Sequence, residues 1–393
     1  MDVDLFSEET AQDPWPVLER IRAEGPVVYN DRVGTWMVTG DRLNRKILLD
    51  PVRFTLEGAI GTQVFGPEAF ITIDDKKRHD ALRGVWAVAF QRASLESLRP
   101  VIARLADRMI DAVEPRLRAG ETIDADAELC RNLPAYVIAH MLGVPEEMRP
   151  NIVKWSDDIA HAIGLPPNAS QDSDPVWLRA KEAKLALRDF LLEQVGHRRN
   201  QPGDDLISQI VHSEIGKELS DEAIIANSRQ LLFAGNETTA KWLGHSLVTF
   251  AQFPDVRAEV VENRALLPQA LEEVMRWQPV AMTLPRLIRG GDIEIEGVVV
   301  PQGAEMTLLT GAANRDKARY DEPEKFDIHR EFKANLGFGF GMHSCIGVTL
   351  ARLEAEVVIS RVLDRFPDFA LAGPVEYGHL AVRGPSHLPL ALA

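Results

Sequence analysis

Residues 335–347 read Asn335-Leu336-Gly337-Phe338-Gly339-Phe340-Gly341-Met342-His343-Ser344-Cys345-Ile346-Gly347, and a strongly apolar helical pattern follows from about residue 346. Gly337, Gly339, Gly341 and Gly347 gather in one short loop. Such density implies backbone conformations closed to other residues, or close approach to a planar ligand. Cys345 then falls at the N-terminal end of the helix, where unpaired N–H groups and the positive end of the dipole favour a thiolate over a thiol. A thiolate held there, with N–H donors aimed at its sulfur, suits the axial ligand of a haem iron. Without further context, a cysteine beside a Gly-rich turn is more often buried core filler.

The surrounding chain supplies the context. Its 393 residues allow two or three domains, or one large unit with a big core. A hydrophobic fraction of 45% with 26% charged residues excludes disordered and fibrous architectures. The net charge of −15 argues against a nucleic-acid surface or an anionic membrane as the main partner. No apolar run is long enough to cross a membrane, and the acidic N-terminus does not read as a secretory signal. Two cysteines, Cys130 and Cys345, exclude a disulfide scaffold and fit a reducing, cytoplasmic setting. Cys130 matches no motif and reads as small core filler.

Three- and four-residue apolar spacing predicts long helices near 96–118, 180–199, 221–253, 267–277 and 346–365. The clearest begins after Ser220, a good N-cap, and stops before Pro254. Strand signals cluster in two places: a hairpin over Val27 to Thr39, and the stretch 285–310 with its alternating Ile293 and Ile295. The polar segment 164–176 reads as a surface excursion. There is no dinucleotide fingerprint, P-loop, His-Glu-x-x-His or Gly-x-Ser-x-Gly, and none of the ten histidines lies within four residues of another.

Several further segments fall into a recognisable order. Phe338, Gly341, His343, Cys345 and Gly347 match Phe-x-x-Gly-x-(Arg/His)-x-Cys-x-Gly; Glu273-Val274-Met275-Arg276 matches Glu-x-x-Arg. Asn314-Arg315-Asp316 is followed by Pro323, Phe326, Asp327 and Arg330; Ala234-Gly235-Asn236-Glu237-Thr238-Thr239 sits midway along the longest helix; Leu142-Gly143-Val144-Pro145 lies upstream. Together these resemble the cytochrome P-450 superfamily, in its soluble bacterial form, from about Trp15 to Leu390. The resemblance implies a mainly α fold with a small β region, residues 1–393 forming a single haem domain, and haem b held between the long central helix and the cysteine loop.

It also implies roles. Cys345 would ligate the iron, with Phe338, Gly339, His343 and Gly347 around the haem and Ala234 and Gly235 on its other face. Thr238 and Glu237 would be the acid–alcohol pair that delivers protons during oxygen activation, although on their own a glycine and two threonines could mark no more than a tolerated kink. His79 and Arg83, with Arg286 and His343, would hold the propionates; the bland reading of the 74–79 run is a solvated charged turn. This chain lacks the Asp-Pro-Pro-x-His prelude usual in bacterial members. Glu273 and Arg276, one helical turn apart, would join Arg315 or Arg330 in a buried network that locks the cysteine loop, rather than form an exposed salt bridge of about 0–1 kcal/mol.

The reaction implied is monooxygenation driven by NAD(P)H, with electrons from a separate [2Fe-2S] ferredoxin and its reductase. A local basic patch of Lys76, Lys77, Arg78, Arg92 and Arg352 would serve docking. By family position the substrate pocket draws on 60–72, the long helix, 280–284 and 386–388. Candidate lining residues there are Phe65, Phe70, Phe233, Ala234, Val280, Met282 and Leu388, with Thr283, Gln230 and His387 as polar anchors. Such a pocket suits a neutral terpenoid, steroid or arene, hydroxylated or oxidatively dealkylated. Two alternatives keep the haem: a peroxide-driven peroxygenase, and a haem-thiolate sensor that binds ligand without turnover. The acid–alcohol pair argues against both.

Overall fold

The computed structural model describes residues 1–165 and 170–393. The centre of the structure is the helix Asp221–Gln252. Ser220 caps it by accepting from the Ala223 amide at 3.1 Å, and Pro254 prevents its continuation beyond Phe253. Its 32 residues rise about 48 Å. Nearly every side chain on it is buried, which places it inside the protein and not on one face. Gly235 does not break it; the helix is continuous through the 234–239 motif.

Three helices differ from their sequence-based bounds, each for a local reason. The stretch expected at 96–118 is two helices, Arg92–Glu96 and Arg99–Arg118, because Pro100 starts a new one in its first turn. The one expected at 180–199 begins earlier, at Pro175, where Asp174 accepts from the Val176 amide at 2.8 Å. The helix after the cysteine loop is Val348–Arg365, starting beyond Gly347. Helices Asn132–Met141, Arg149–Ile163 and Pro175–Asn200 pack on the central helix, with Val348–Arg365 and Leu267–Trp277 also against it.

The β region is small. Val27–Asn30 and Thr35–Val38 form the expected hairpin, and Thr35–Val38 then pairs in parallel with Glu305–Leu308. Leu284–Ile288 follows antiparallel, Arg286 opposite Met306, and Phe54–Thr55 completes five strands. A second hairpin, Ile293–Ile295 with Val298–Val300, turns through Glu296 and Gly297 at φ 50° and 82°, the conformation a two-residue β-turn requires. Short C-terminal strands, Phe369–Leu371, Glu376–Tyr377, Pro385–His387 and Pro389–Leu392, lacked a readable alternation in the sequence. Among the described residues no helix is long and apolar enough to cross a membrane.

Candidate functional site

A cavity of about 630 Å³ lies between the central helix and the cysteine loop. One wall carries Ala234, Gly235, Thr238 and Thr239; the facing wall carries Phe338, Gly339 and residues 343–347, including Cys345. The loop owes its shape to its glycines in two ways. Gly339 and Gly341 adopt φ 68° and 75°, the left-handed region. Gly337 and Gly341 also leave no room for a side chain: an added Cβ would lie 2.5 Å from Met275 Cγ and from the Leu48 carbonyl oxygen, respectively. On the helix wall, a Cβ on Gly235 would meet Ile138 at 3.4 Å, so this glycine serves close helix packing as well as the cavity.

Cys345 donates its amide to the Phe338 carbonyl at 2.9 Å, and its sulfur opens onto the cavity. Enclosing protein desolvates the thiol and raises its pKa, against the lowering effects of the Gly347 amide, Arg83 and Arg352. The Gly347 amide and the two guanidiniums pull toward the thiolate, and the enclosing protein pulls toward the thiol. Direct bonding to a metal cation deprotonates a thiol outright, so a coordinated iron would reverse the balance. Cys130 is buried core, its thiol pushed far up by desolvation.

Buried nitrogen groups gather at one edge of the cavity, two guanidiniums and the His343 ring, with the His79 ring packed behind His343. Arg286 is buried, yet its guanidinium bonds only the Pro285 carbonyl, at 2.6 Å, and burial pushes its pKa down to about 10. Arg83 lines the cavity beside the Phe70 ring. His79 Nε2 and His343 Nδ1 are both buried without a partner, and the two rings meet edge to face at 5.0 Å. Desolvation lowers the pKa of both imidazoles. Behind His343 stands Asp74, 3.3 Å from Nε2; burial raises its carboxyl, but hydrogen bonds from His343, Thr55 and the Leu56 and Glu57 amides hold it below the usual value. Unpartnered buried polar groups are costly. Arg83, Arg286 and His343 at one edge with His79 behind them, a thiol on one face and apolar walls fit a flat dicarboxylate such as haem b.

Opposite the thiol, Thr238 donates its hydroxyl to the Ala234 carbonyl at 2.7 Å. Glu237 faces away from the cavity, its carboxylate 3.6 Å from Lys241 Nζ. Glu273 and Arg276 are buried and paired, as expected. Arg276 makes a two-pronged pair with Glu273 at 2.7 Å for each contact and reaches the carbonyls of Asn314, Pro323 and Lys325. Arg330 Nε approaches Glu273 at 3.4 Å, and Asn314 Oδ1 accepts from the Leu336 amide at 2.7 Å, tying the network to the cysteine loop. Arg315 is corrected: it pairs with Glu324 and stacks on Trp15 and Trp277 instead of joining Glu273.

Of the expected pocket residues, Phe65, Phe70, Ala234, Val280, Thr283 and Gln230 line the cavity. Phe233 does not; it packs behind Phe65 with ring centroids 5.4 Å apart. Met282 lies beneath Gly311 in the N-terminal core, Leu388 is fully buried core, and His387 is at the surface beside Asp124 at 3.0 Å. The strand Pro385–His387 turns that segment away, and Leu380, Ala381 and Val382 fill the place expected of 386–388. Segment 164–176 is more than a surface excursion. Leu165 and Gln171 reach the cavity, as does Trp177 just after the segment, and Gln171 bonds Gln63; residues 166–169 lie outside the described structure. Glu305, Leu5 and Phe6 also line it, contributors with no motif to reveal them.

Comparison with known proteins agrees with this geometry. The family model "Cytochrome P450" matches residues 49–369. The chain is similar to the cytochrome P450 monooxygenase PikC of Streptomyces venezuelae, 32% identical over 99% of this chain and 94% of that one. It is 34% identical to a steroid C26-monooxygenase of Mycobacterium tuberculosis, over 89% of this chain and 91% of the relative. Among solved structures, CYP109E1 from Bacillus megaterium in complex with testosterone superposes with a TM-score of 0.90 at 27% identity, covering 98% of this chain and 99% of that one.

Proposed function

The chain belongs to the cytochrome P450 family, and on that premise we propose that residues 1–393 form one cytoplasmic haem domain that monooxygenates a neutral, hydrophobic small molecule. Family members bind haem b through a cysteine thiolate. Here Cys345 would be that ligand, Arg83, Arg286, His79 and His343 would hold the two propionates, and the Glu273–Arg276–Arg330 network would keep the loop rigid. The bound haem supplies the iron at which O₂ is reduced and one oxygen atom passes to substrate.

The remaining work falls to side chains. Thr238 presents its hydroxyl to the cavity and hands on a proton, and Glu237, its neighbour on the central helix, replenishes that proton. Phe65, Phe70 and Val280 exclude water and bind the apolar body of the substrate, and Thr283 and Gln230 orient it. Electrons come from a [2Fe-2S] ferredoxin served by a reductase, docking at the cysteine-loop side. Lys76, Arg78 and Arg352 are paired with Asp80, Glu68 and Glu272, so Lys77 and Arg92, which have no ion pair among the described residues, are the better docking cations.

The observation that carries this reading is the Cys345 sulfur facing Thr238 across an apolar cavity with a cationic edge. The test is the absorption spectrum of the reduced, carbon monoxide-bound protein. A strongly red-shifted Soret band in the wild type that is lost in Cys345→Ser supports it; a blue-lying band in properly folded wild-type protein overturns it.

A further inference from the structure

Lys241 is a buried lysine one turn beyond Glu237 on the central helix, and its surroundings are unusual. An ammonium has three protons to donate. Lys241 Nζ gives one to the Pro385 carbonyl at 2.6 Å. Its remaining charge lies between two carboxylates, Glu237 Oε1 at 3.6 Å and Asp126 Oδ1 at 3.8 Å. Both separations exceed a hydrogen bond, and they are nearly equal. A displacement of about 1 Å completes a charge-assisted bond to one carboxylate at the expense of the other.

Each partner is prepared for this arrangement. Asp126 opens a single π-helical turn, Asp126–Cys130, an irregularity found frequently at functional sites. Its carboxylate is wholly inaccessible; Oδ2 accepts from Arg131 at 2.5 Å while Oδ1, the atom aimed at Lys241, has no hydrogen-bond partner. Glu237 has no cation other than Lys241 within 4 Å among the described residues. Room for the lysine stem comes from Gly384, where any Cβ would lie 2.4 Å from Lys241 Cβ.

We propose that Lys241 is the positioning residue for the acid of the relay: its ammonium shuttles between Asp126 and Glu237, and Glu237 is released toward Thr238 only when the ammonium moves to Asp126. The inference rests on the monooxygenase reading above. In the held position the Glu237 carboxylate is fixed away from the cavity and Thr238 stays bonded to Ala234. In the released position Glu237, once protonated from solvent, gives that proton to the Thr238 hydroxyl as Thr238 passes its own into the cavity. The emptied carboxylate then returns to Lys241. No net charge is created; one proton crosses per cycle. Other groups facing this ammonium are Arg131 behind Asp126, Asp157 on helix Arg149–Ile163, His245 on the central helix and His379 before the last strands.

The competing explanation is a static clip that fastens the central helix to Pro385. Lys241→Met, of similar length and uncharged, separates the two, with Lys241→Arg as the rescue. The first readout needs no turnover: melting temperature of the ferric protein against pH. Without the ammonium, Asp126 keeps Arg131 but the buried carboxylate pair holds one cation fewer, so the deficit of Lys241→Met relative to wild type grows as pH rises above the ordinary carboxylate range of about 4, and Lys241→Arg narrows it. A deficit independent of pH overturns the proposal and indicates the clip. The second readout uses Asp126→Asn, which leaves the ammonium to Glu237 alone. Turnover slows about tenfold with KM unchanged and a larger solvent deuterium isotope effect; a wild-type isotope effect overturns the shuttle. If the wild type fails to show the thiolate spectrum, the monooxygenase reading falls, while the melting profile still reads the Lys241 charge bridge.

Discussion

His79 and His343 meet edge to face with ring centroids 5.0 Å apart, and each keeps one ring nitrogen buried and unpartnered. Arg286, buried nearby on its strand, likewise has no ion pair among the described residues. A cluster of unpartnered buried nitrogens destabilises the protein that holds nothing; an arriving anion relieves the guanidinium directly and the imidazoles once each takes up a proton. The sign of a mutation here therefore depends on loading. Arg286→Leu should leave the haem-free protein as stable as wild type or more so, and should accelerate haem loss from the loaded protein by roughly 10- to 100-fold, the equivalent of one charge-assisted hydrogen bond of about 1.5–3 kcal/mol. Haem transfer to an acceptor globin, run beside thermal melts of both forms, checks it.

Thr238→Ala removes the hydroxyl that lies across the cavity from Cys345. Substrate affinity, read from the spin-state shift, should stay within about twofold, while the share of electrons recovered as product falls at least about tenfold and hydrogen peroxide rises to match. Fully coupled product formation in this variant removes Thr238 from the relay.

Glu273→Gln breaks the two-pronged pair with Arg276 and leaves a buried guanidinium without its counter-charge. Breaking such a pair from one side costs about 3–5 kcal/mol. Since the pair also anchors Asn314 and the cysteine loop, haem content on expression should drop together with the denaturant midpoint. A variant that loses stability but retains full haem would detach the network from the loop.

Asp157 gives a pH dependence with a definite sign. Burial, then the nearby Glu237 charge, raise its carboxyl to about 6 from 3.8. The folded state therefore holds a proton that the unfolded state has released, and stability falls as pH rises from about 4 through about 6. Asp157→Asn abolishes this loss: it should be more stable than wild type by about 1–3 kcal/mol above pH 6, with the gain fading below about pH 4. Urea titrations across that range decide the matter, and an Asn variant that is no more stable at pH 8 than the wild type contradicts it.

Phe70 and Leu388 were equal pocket candidates from the sequence, yet only Phe70 meets the cavity. Phe70→Ala should change which ligands shift the spin state. Leu388→Ala should cost about 2–5 kcal/mol of stability, as for any buried leucine, with ligand preference unmoved. A common ligand panel tested against both variants distinguishes them.

What could be read in advance follows the range of the forces involved. Ser220 and Pro254 set the central helix by local capping and ring geometry, so its bounds were legible. Cys345, Thr238 and Glu273 sit in motifs whose spacing is itself the signal. Met282 and Leu388 were misplaced because an apolar residue near a pocket and one in the adjacent core look alike until the strand direction is known. Arg315 looked like a partner for Glu273, but the nearer Glu324 and two indole faces took it. Lys241 and Asp126 carried no motif: their meeting depends on a π-turn and on Gly384 arriving from 143 positions away, and only tertiary structure brings those together.

The parallel pairing of Thr35–Val38 with Glu305–Leu308 has a consequence for how the protein comes into being. Thr35 waits for a neighbour 270 positions downstream, so the sheet that carries Arg286 cannot zip up from local contacts. Closing so long a loop makes assembly slow. During biosynthesis the N-terminal hairpin must spend most of that time as an unsupported edge, and the prosthetic group can be seated only after nearly the whole chain has been made.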